Sequence, residues 1–214
     1  MLLLIAGFIL GILLCRTLYV LWEINTGCPT KLNKSSVKTL VVLGSGGHTG
    51  EMLKIINRLD PVRYSPKVYV LAATDAVSLK RLYHIEGIQE EKESEKSYCI
   101  ETIPRTREVG QSWLSTIVTT LWASIFCLSV IARHRPSLIL TNGPGTCVPL
   151  CLSALLFRIF GISHCRIVFI ESLCRVQSLS LTGLILYRLV DDFFVQWDKL
   201  KEKYPRAIFL GRLV

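Results

Sequence analysis

The chain opens on one kind of pattern and continues on another. Leu2–Trp22 (LLLIAGFILGILLCRTLYVLW) is an apolar run of 21 residues broken by a single charge, Arg16. A helix of that length spans a hydrocarbon core of ~30 Å. Arg16 costs about 2.5–3.5 kcal/mol at the centre of a span and less near an end, where its head can reach the interface. The pattern predicts a transmembrane anchor over residues 1–22 and a linker over 23–36. The competing reading, a cleaved signal peptide, lacks a basic stretch before the run and a small-residue cleavage site after it.

From residue 37 onward, short apolar and β-branched runs alternate with longer mixed ones. Strands are predicted at Thr39–Leu43, Val68–Ala73, Tyr98–Ile103, Leu138–Thr141, Arg166–Ile170, Phe193–Gln196 and Ala207–Leu210. Helices are predicted at Thr49–Leu59, Asp75–Ile85, Ser112–Arg133, Val148–Phe160, Leu179–Val190 and Asp198–Tyr204. Near-continuously apolar strands separated by helices predict a parallel sheet covered on both faces, hence one α/β domain over residues 37–214. Glu86–Lys96 (EGIQEEKESEK) reads as a charged loop. Trp113–Ala132 carries no charge over 20 residues and is long enough for a second span. A span there would place strands of one sheet on opposite sides of a membrane. Ser112, Thr116, Thr120 and Ser124 also form a polar stripe at i+4 spacing. The helix is therefore expected to lie partly in the core and partly on a bilayer surface.

Composition narrows the class. Of 214 residues half are apolar and 19% charged, with a mean hydropathy of +0.44. Disorder, collagen and coiled coil are excluded, and the chain is long enough to bury a core. Lys and Arg number 25 against 16 Asp and Glu, a net charge of +9. That balance suits an anionic membrane surface, a phosphorylated ligand or nucleic acid. No nucleic-acid-binding module is recognisable, so none of that class is expected as a partner. Lys31, Lys34 and Lys38 follow the anchor and nothing basic precedes it but the terminal amine, so the positive-inside rule places residues 23–214 in the cytosol. On that side the sequon Asn33-Lys34-Ser35 is a chance match. The eight cysteines contain no C-x-x-C pair. They read as core thiols in a reducing compartment, with neither a metal site nor a cofactor expected.

Three strand ends carry candidate chemistry. Gly44-Ser45-Gly46-Gly47-His48-Thr49 follows the first strand and opens a helix. Glycines let backbone approach a ligand closely, and the helix N-terminus offers free N–H groups suited to phosphate. The loop is not a Walker A loop, which needs Gly-Lys-Ser/Thr. It is not the dinucleotide fingerprint either: Thr49 stands where the third glycine belongs, and neither Asp60 nor Asp75 is spaced as the ribose-binding acid. This counts against a nucleotide-dependent oxidoreductase or epimerase. The competing reading is a tight turn in which Thr49 or Ser45 caps the helix. His48 could take a proton from a sugar hydroxyl, as imidazoles do near neutrality, or hydrogen-bond locally in the first helical turn. Asn142-Gly143-Pro144-Gly145-Thr146 follows a later strand, and Glu171-Ser172, with Arg175 nearby, the next. In open α/β sheets ligands bind beyond the carboxyl ends of the strands, where these loops would converge. Glu171 could serve as a base, bind a sugar hydroxyl or cap a helix. Arg105 and Arg107, before the long apolar helix, could meet lipid phosphate or a pyrophosphate, or be solvated.

In combination, the N-terminal anchor, LVVLGSGGHTGEML, IPRTREVGQSW, LILTNGPGTCVPLC, FIESLCRV and FVQWDKLKEKYPRAIFLGRLV resemble the membrane subunit of the endoplasmic-reticulum UDP-N-acetylglucosamine transferase. That enzyme adds the second GlcNAc to a dolichol-pyrophosphate-linked sugar in N-glycan precursor assembly. More distantly, GSGGH resembles the glycine loop of bacterial MurG. The resemblance implies the acceptor-side, Rossmann-like half of a GT-B glycosyltransferase on the cytosolic face of the endoplasmic-reticulum membrane. A separate small catalytic subunit would bind most of the UDP-GlcNAc. It further implies that Gly44, Gly46, Gly47 and His48 form the acceptor loop, flanked by Asn142, Gly143, Gly145, Thr146 and Glu171. The length agrees, since a GT-B enzyme needs two such halves and this chain has room for one. The apolar segment Ala207–Val214 is expected either to dock that subunit or to be the last strand of this domain's own core. The reading from another class is a membrane-anchored scaffold with no direct part in chemistry.

Overall fold

The computed structural model describes residues 1–27, 35–86, 98–107 and 110–214. Lys31, Asn33 and Lys34, residues 87–96 of the loop expected over Glu86–Lys96, and Glu108 lie outside the described residues; Glu86 itself caps the helix Ala76–Ile85 and pairs with Lys67 at 3.1 Å. The body is a seven-stranded, wholly parallel sheet in the order β3-β2-β1-β4-β5-β6-β7. Its strands are β1 (Thr39–Val42), β2 (Lys67–Ala72), β3 (Tyr98–Ile103), β4 (Leu138–Thr141), β5 (Arg166–Ile170), β6 (Asp192–Val195) and β7 (Ile208–Phe209). The chain winds outward from β1 to β3, crosses back to β4 beside β1, and winds outward again to β7. This puts the topological switch point between β1 and β4, the crevice in which such sheets bind ligands.

Among the described residues α1 (Leu2–Thr26) precedes the sheet and six helices connect its strands: α2 (Gly47–Ile56), α3 (Ala76–Ile85), α4 (Trp113–His134), α5 (Cys147–Ile159), α6 (Leu181–Leu186) and α7 (Asp198–Lys203). Alternation along the strands sends side chains to two cores. Val41, Leu43, Tyr69 and Leu71 pack with Met52, Leu53 and Ile56 of α2 and Leu82 of α3. Leu40, Val42, Val68 and Val70 pack on the opposite face with Cys127 and Ile131 of α4, Leu150 and Ala154 of α5 and Leu186 of α6. The expected sheet with both faces covered is thus present. Cys127, Cys147, Cys151 and Cys165 are all buried, and burial pushes the Cys127 and Cys151 thiols up to about 12.

α1 is long and apolar enough to cross a membrane, and most of its side chains are exposed. It runs four residues past Trp22, so Glu23–Thr26, expected to begin a linker, are helical. Tertiary contacts explain the extension. Val20 and Ile24 bury against Leu155 of α5. Glu23 pairs at 3.0 Å with Arg158, which also holds Asp191 at 2.7 Å and is itself buried. α4 also passes the length and hydropathy test for a span. Yet it is the crossover from β3 to β4 in one sheet, with Ala123, Cys127, Val130 and Ile131 buried. Its other side, with Leu114, Ile117, Val118, Leu121, Trp122 and Ile125, is exposed and apolar.

Two elements are half the length their sequence suggests. Ser180 caps α6 by accepting from the Gly183 N–H, so the helix starts at Leu181 rather than Leu179, and it ends at Leu186. β7 keeps two residues of the expected four, and Gly211 turns the chain at φ +83° just beyond. Within Ala207–Val214, Ala207 is fully buried and Leu213 packs on the α2 side of the sheet. Phe209 and Leu210 stay exposed.

Candidate functional site

Beyond the carboxyl ends of the strands lies a cleft of about 850 Å³. Its floor is the Gly44–His48 loop after β1 and the Gly143–Thr146 loop after β4. Its walls are Arg105–Arg107 after β3, Glu171–Arg175 after β5, Thr116 and Thr120 of α4, and Leu181 and Ile185 of α6. Of the residues singled out from sequence, Gly44, Gly47, His48, Arg105, Arg107, Gly143, Gly145, Thr146 and Glu171 line this one space. Asn142 lies directly behind it, fully buried. Gly46 supplies structure: it stands at the cap position of α2 with φ +64°, and its carbonyl accepts from Arg81 at 2.9 Å.

The capping reading of the glycine loop is overturned. α2 begins at Gly47, two residues before the expected Thr49, and no side chain caps it. Thr49 instead faces inward, where its hydroxyl donates to the Gly44 carbonyl and lies 2.6 Å from the Ser78 hydroxyl. Ser78 is anchored in turn on Asp75, by its backbone N–H at 3.0 Å and its hydroxyl at 2.7 Å. The loop is therefore braced from behind, and the first-turn N–H groups of α2 are left toward the cleft. α5 starts at the cleft after Thr146, but its first-turn donors are used: the Cys147 and Val148 N–H groups donate to the Pro144 and Gly145 carbonyls at 3.0 and 3.1 Å, and Pro149 has none. The N-terminus of α2 is thus the one with open donors at this space, an arrangement suited to phosphate oxygens.

His48 lies in the first turn of α2, half-buried, with Nδ1 2.9 Å from Asn142 Oδ1. Its ring lies close against Gly143, with the edge that carries Nδ1, Cε1 and Nε2 nearest. A Cβ at that position, where φ is +69°, would come within 2.7 Å of Nδ1. Asn142 Nδ2 donates at 2.9 Å to Glu51 Oε2, and the Ser172 hydroxyl donates at 2.9 Å to Glu51 Oε1. Glu51 was not singled out by the sequence. The usable signal is its i+3 spacing from His48, which puts both on one face of α2.

Glu171 is fully buried. Its Oε2 accepts from the backbone N–H and hydroxyl of Ser180 at 2.9 and 3.0 Å, and its Oε1 from the Ser172 N–H at 3.1 Å. Burial pushes its carboxyl above the ordinary carboxylate range, and the Ser180 and Ser172 N–H groups partly offset this. Among the described residues one cluster has metal-ligand character: Cys99 and Glu101 of β3 with His134 at the end of α4. It sits toward the amino ends of the strands, away from the cleft. Its carboxylate already accepts from Arg133 at 2.8 Å and contacts His134 at 2.6 Å.

Comparison with known proteins agrees with this architecture. The family described as "Oligosaccharide biosynthesis protein Alg14 like" matches residues 39–213. UDP-N-acetylglucosamine transferase subunit ALG14 of Rattus norvegicus is 46% identical over 197 residues, 91% of this chain and 90% of that protein. The Homo sapiens protein of that name is 48% identical over 184 residues, 85% of each chain. The Yarrowia lipolytica one is 42% identical over 210 residues, 98% of this chain and 96% of that protein. Among solved structures, MurG of Acinetobacter baumannii superposes with a TM-score of 0.56 at 14% identity, covering 82% of this chain and 45% of that one. A putative UDP-N-acetylglucosamine 2-epimerase of Listeria monocytogenes gives 0.58 at 14% identity, covering 80% and 42%. The chain thus spans just under half of these structures, which share its Rossmann-like fold. The match over 39–213, and identities of 42–48% with proteins covered almost end to end, place this chain in the Alg14-like family of oligosaccharide biosynthesis proteins.

Proposed function

We propose that this chain is the membrane subunit of a UDP-N-acetylglucosamine transferase acting in dolichol-linked oligosaccharide assembly. In this reading it anchors a small catalytic partner at the cytosolic face of the endoplasmic reticulum and holds the lipid-pyrophosphate-GlcNAc acceptor. The observation that carries it is the cleft at the switch point, where the uncapped N-terminus of α2, Arg105, Arg107 and His48 converge. One wall of that cleft is α4, whose other side is exposed and apolar. The names of the relatives supply the reaction.

The division of labour follows from the chemistry at each position. The glycine loops let backbone N–H groups approach the acceptor's pyrophosphate, and Arg105 and Arg107 meet its charge from the β3 side. The outer side of α4 rests on the bilayer, so the lipid stays in the membrane while its sugar reaches His48. His48 Nε2 takes the proton from the attacking sugar hydroxyl as its oxygen bonds to the donor sugar's C1 and the bond from C1 to the UDP oxygen breaks. Glu171 is a brace: its buried, fully engaged carboxylate ties the start of α6 to the β5 loop. Exposed Phe209 and Leu210 belong to the surface that the partner covers, while buried Ala207 belongs to this domain's core.

The test is ligand binding by the full chain in nanodiscs. A polyprenyl-pyrophosphoryl-GlcNAc should bind, and R105A and R107A should each weaken it; UDP-GlcNAc should bind poorly until the partner is added. Tight UDP-GlcNAc binding by this chain alone, with no retention of the lipid, would contradict the assignment.

A further inference from the structure

We infer that Glu51 is a positioning residue that fixes which ring nitrogen of His48 carries the proton. This rests on the reading above, in which His48 accepts a proton from the acceptor.

Hydrogen-bond polarity sets the tautomer. An ionised carboxylate only accepts, so the Asn142 atom 2.9 Å from Glu51 Oε2 must be its NH₂ group. The Asn142 oxygen is then the atom turned to His48, 2.9 Å from Nδ1. An oxygen cannot donate, so in the neutral imidazole Nδ1 carries the hydrogen and Nε2 keeps a bare lone pair. Nε2 has no hydrogen-bond partner among the described residues, and the ring borders the cleft. The order Glu51–Asn142–His48 therefore leaves the residue base-ready without placing a negative charge against the ring. The other end of the relay is fixed as well, because the Ser172 hydroxyl donates to Glu51 Oε1 at 2.9 Å. Asn142 is fully buried, so water cannot replace either contact cheaply. The ring also fits only because position 143 is glycine: a Cβ there would fall 2.7 Å from Nδ1.

Glu51→Gln separates this role from a merely structural one. Glutamine nearly matches glutamate in shape and can pair with Asn142 and Ser172 in either polarity. In one, its oxygen accepts from Asn142. In the other, its NH₂ donates to the Asn142 oxygen, Asn142 flips, and its own NH₂ donates to His48 Nδ1. Only the first leaves Nε2 bare. The double substitution E51Q/N142D restores a single polarity. The carboxylate it introduces at position 142 can only accept, from the side-chain NH₂ at position 51 on one side and from His48 Nδ1–H on the other.

The experiment is ¹⁵N NMR of the imidazole nitrogens of the full chain in nanodiscs, assigned against H48A, with transfer rates measured on the complex with its catalytic partner. The wild type should show a single Nδ1–H tautomer. E51Q should show both tautomers, with kcat/KM falling roughly two- to tenfold as the base-ready population falls. The double variant should return to one tautomer and recover most of that loss. An unchanged tautomer in E51Q, or a mixture that persists in E51Q/N142D, overturns the inference. If H48A turns over normally while the NMR shifts occur as stated, the relay stands and the assignment of His48 as base fails. If H48A is inactive and E51Q leaves the tautomer untouched, the base stands and the relay fails.

Discussion

Gly143 and His48 compete for one volume, and the glycine yields it. With φ at +69° and the imidazole on its α-carbon, position 143 tolerates neither the backbone strain nor the bulk of a methyl group. Gly143→Ala should lower stability by about 1–3 kcal/mol, read as a drop in melting temperature, and reduce transfer by displacing the ring. Gly145→Ala is the control. Its added Cβ would sit 3.4 Å from the Thr106 hydroxyl with no positive φ to maintain, so the melting temperature should change little. His48→Ala should keep the fold and partner binding while transfer falls roughly 10²–10⁴-fold; near-normal turnover would reduce His48 to a packing residue. The glycine loops were legible because they are local patterns at strand ends. Glu51 was not, because a glutamate in a helix resembles any solvated charge, and its partner Asn142 lies 91 positions away. Glu171 was legible as a strand-end carboxylate, but its partners come from the start of α6, nine residues on, and spacing alone does not reveal them.

Strands and helices were read well where hydrophobic pattern alone decides them, and less well where tertiary contacts do. β3, β4 and β5 fall where their apolar runs predict. The extension of α1 to Thr26 depends on Arg158, which is far away in sequence and joins Glu23 to Asp191. Removing one partner of a buried ion pair leaves uncompensated charge, so Arg158→Ala should cost about 3–5 kcal/mol and free the end of α1, seen as faster amide exchange over residues 20–26. At the other end of the sheet, burial favours the neutral form of Glu101, but hydrogen bonds from His134 and Arg133 outweigh it and hold the carboxyl below its ordinary value of 4.5. A depressed folded value means that the stabilisation is present above the ordinary carboxylate range and is lost as pH falls through the folded value. The melting temperature should therefore drop as pH is lowered below about 4.5, and Glu101→Gln should flatten that drop. An equally steep drop in the variant would show that Glu101 plays no part in it.

For the molecule as a whole, the exposed apolar residues of α1 and of the outer side of α4 are satisfied together if α1 crosses a bilayer and the domain rests against it. In the tail, Leu213 is tied into the domain through its N–H to Gln196 and its carbonyl from Arg58, while Leu210 is 66% exposed. In the proposed docking, Leu210→Asp should weaken partner association at least about tenfold without moving the melting temperature, because a charge placed in an apolar contact costs binding and not folding. The central claim is that this chain supplies the acceptor side of a divided glycosyltransferase, and the direct measurement is transfer from UDP-GlcNAc to a polyprenyl-pyrophosphoryl-GlcNAc in nanodiscs. No product is expected from this chain alone, none from the catalytic subunit alone, and product when both are present. Transfer by this chain without the partner, or by the partner without this chain, would contradict the claim.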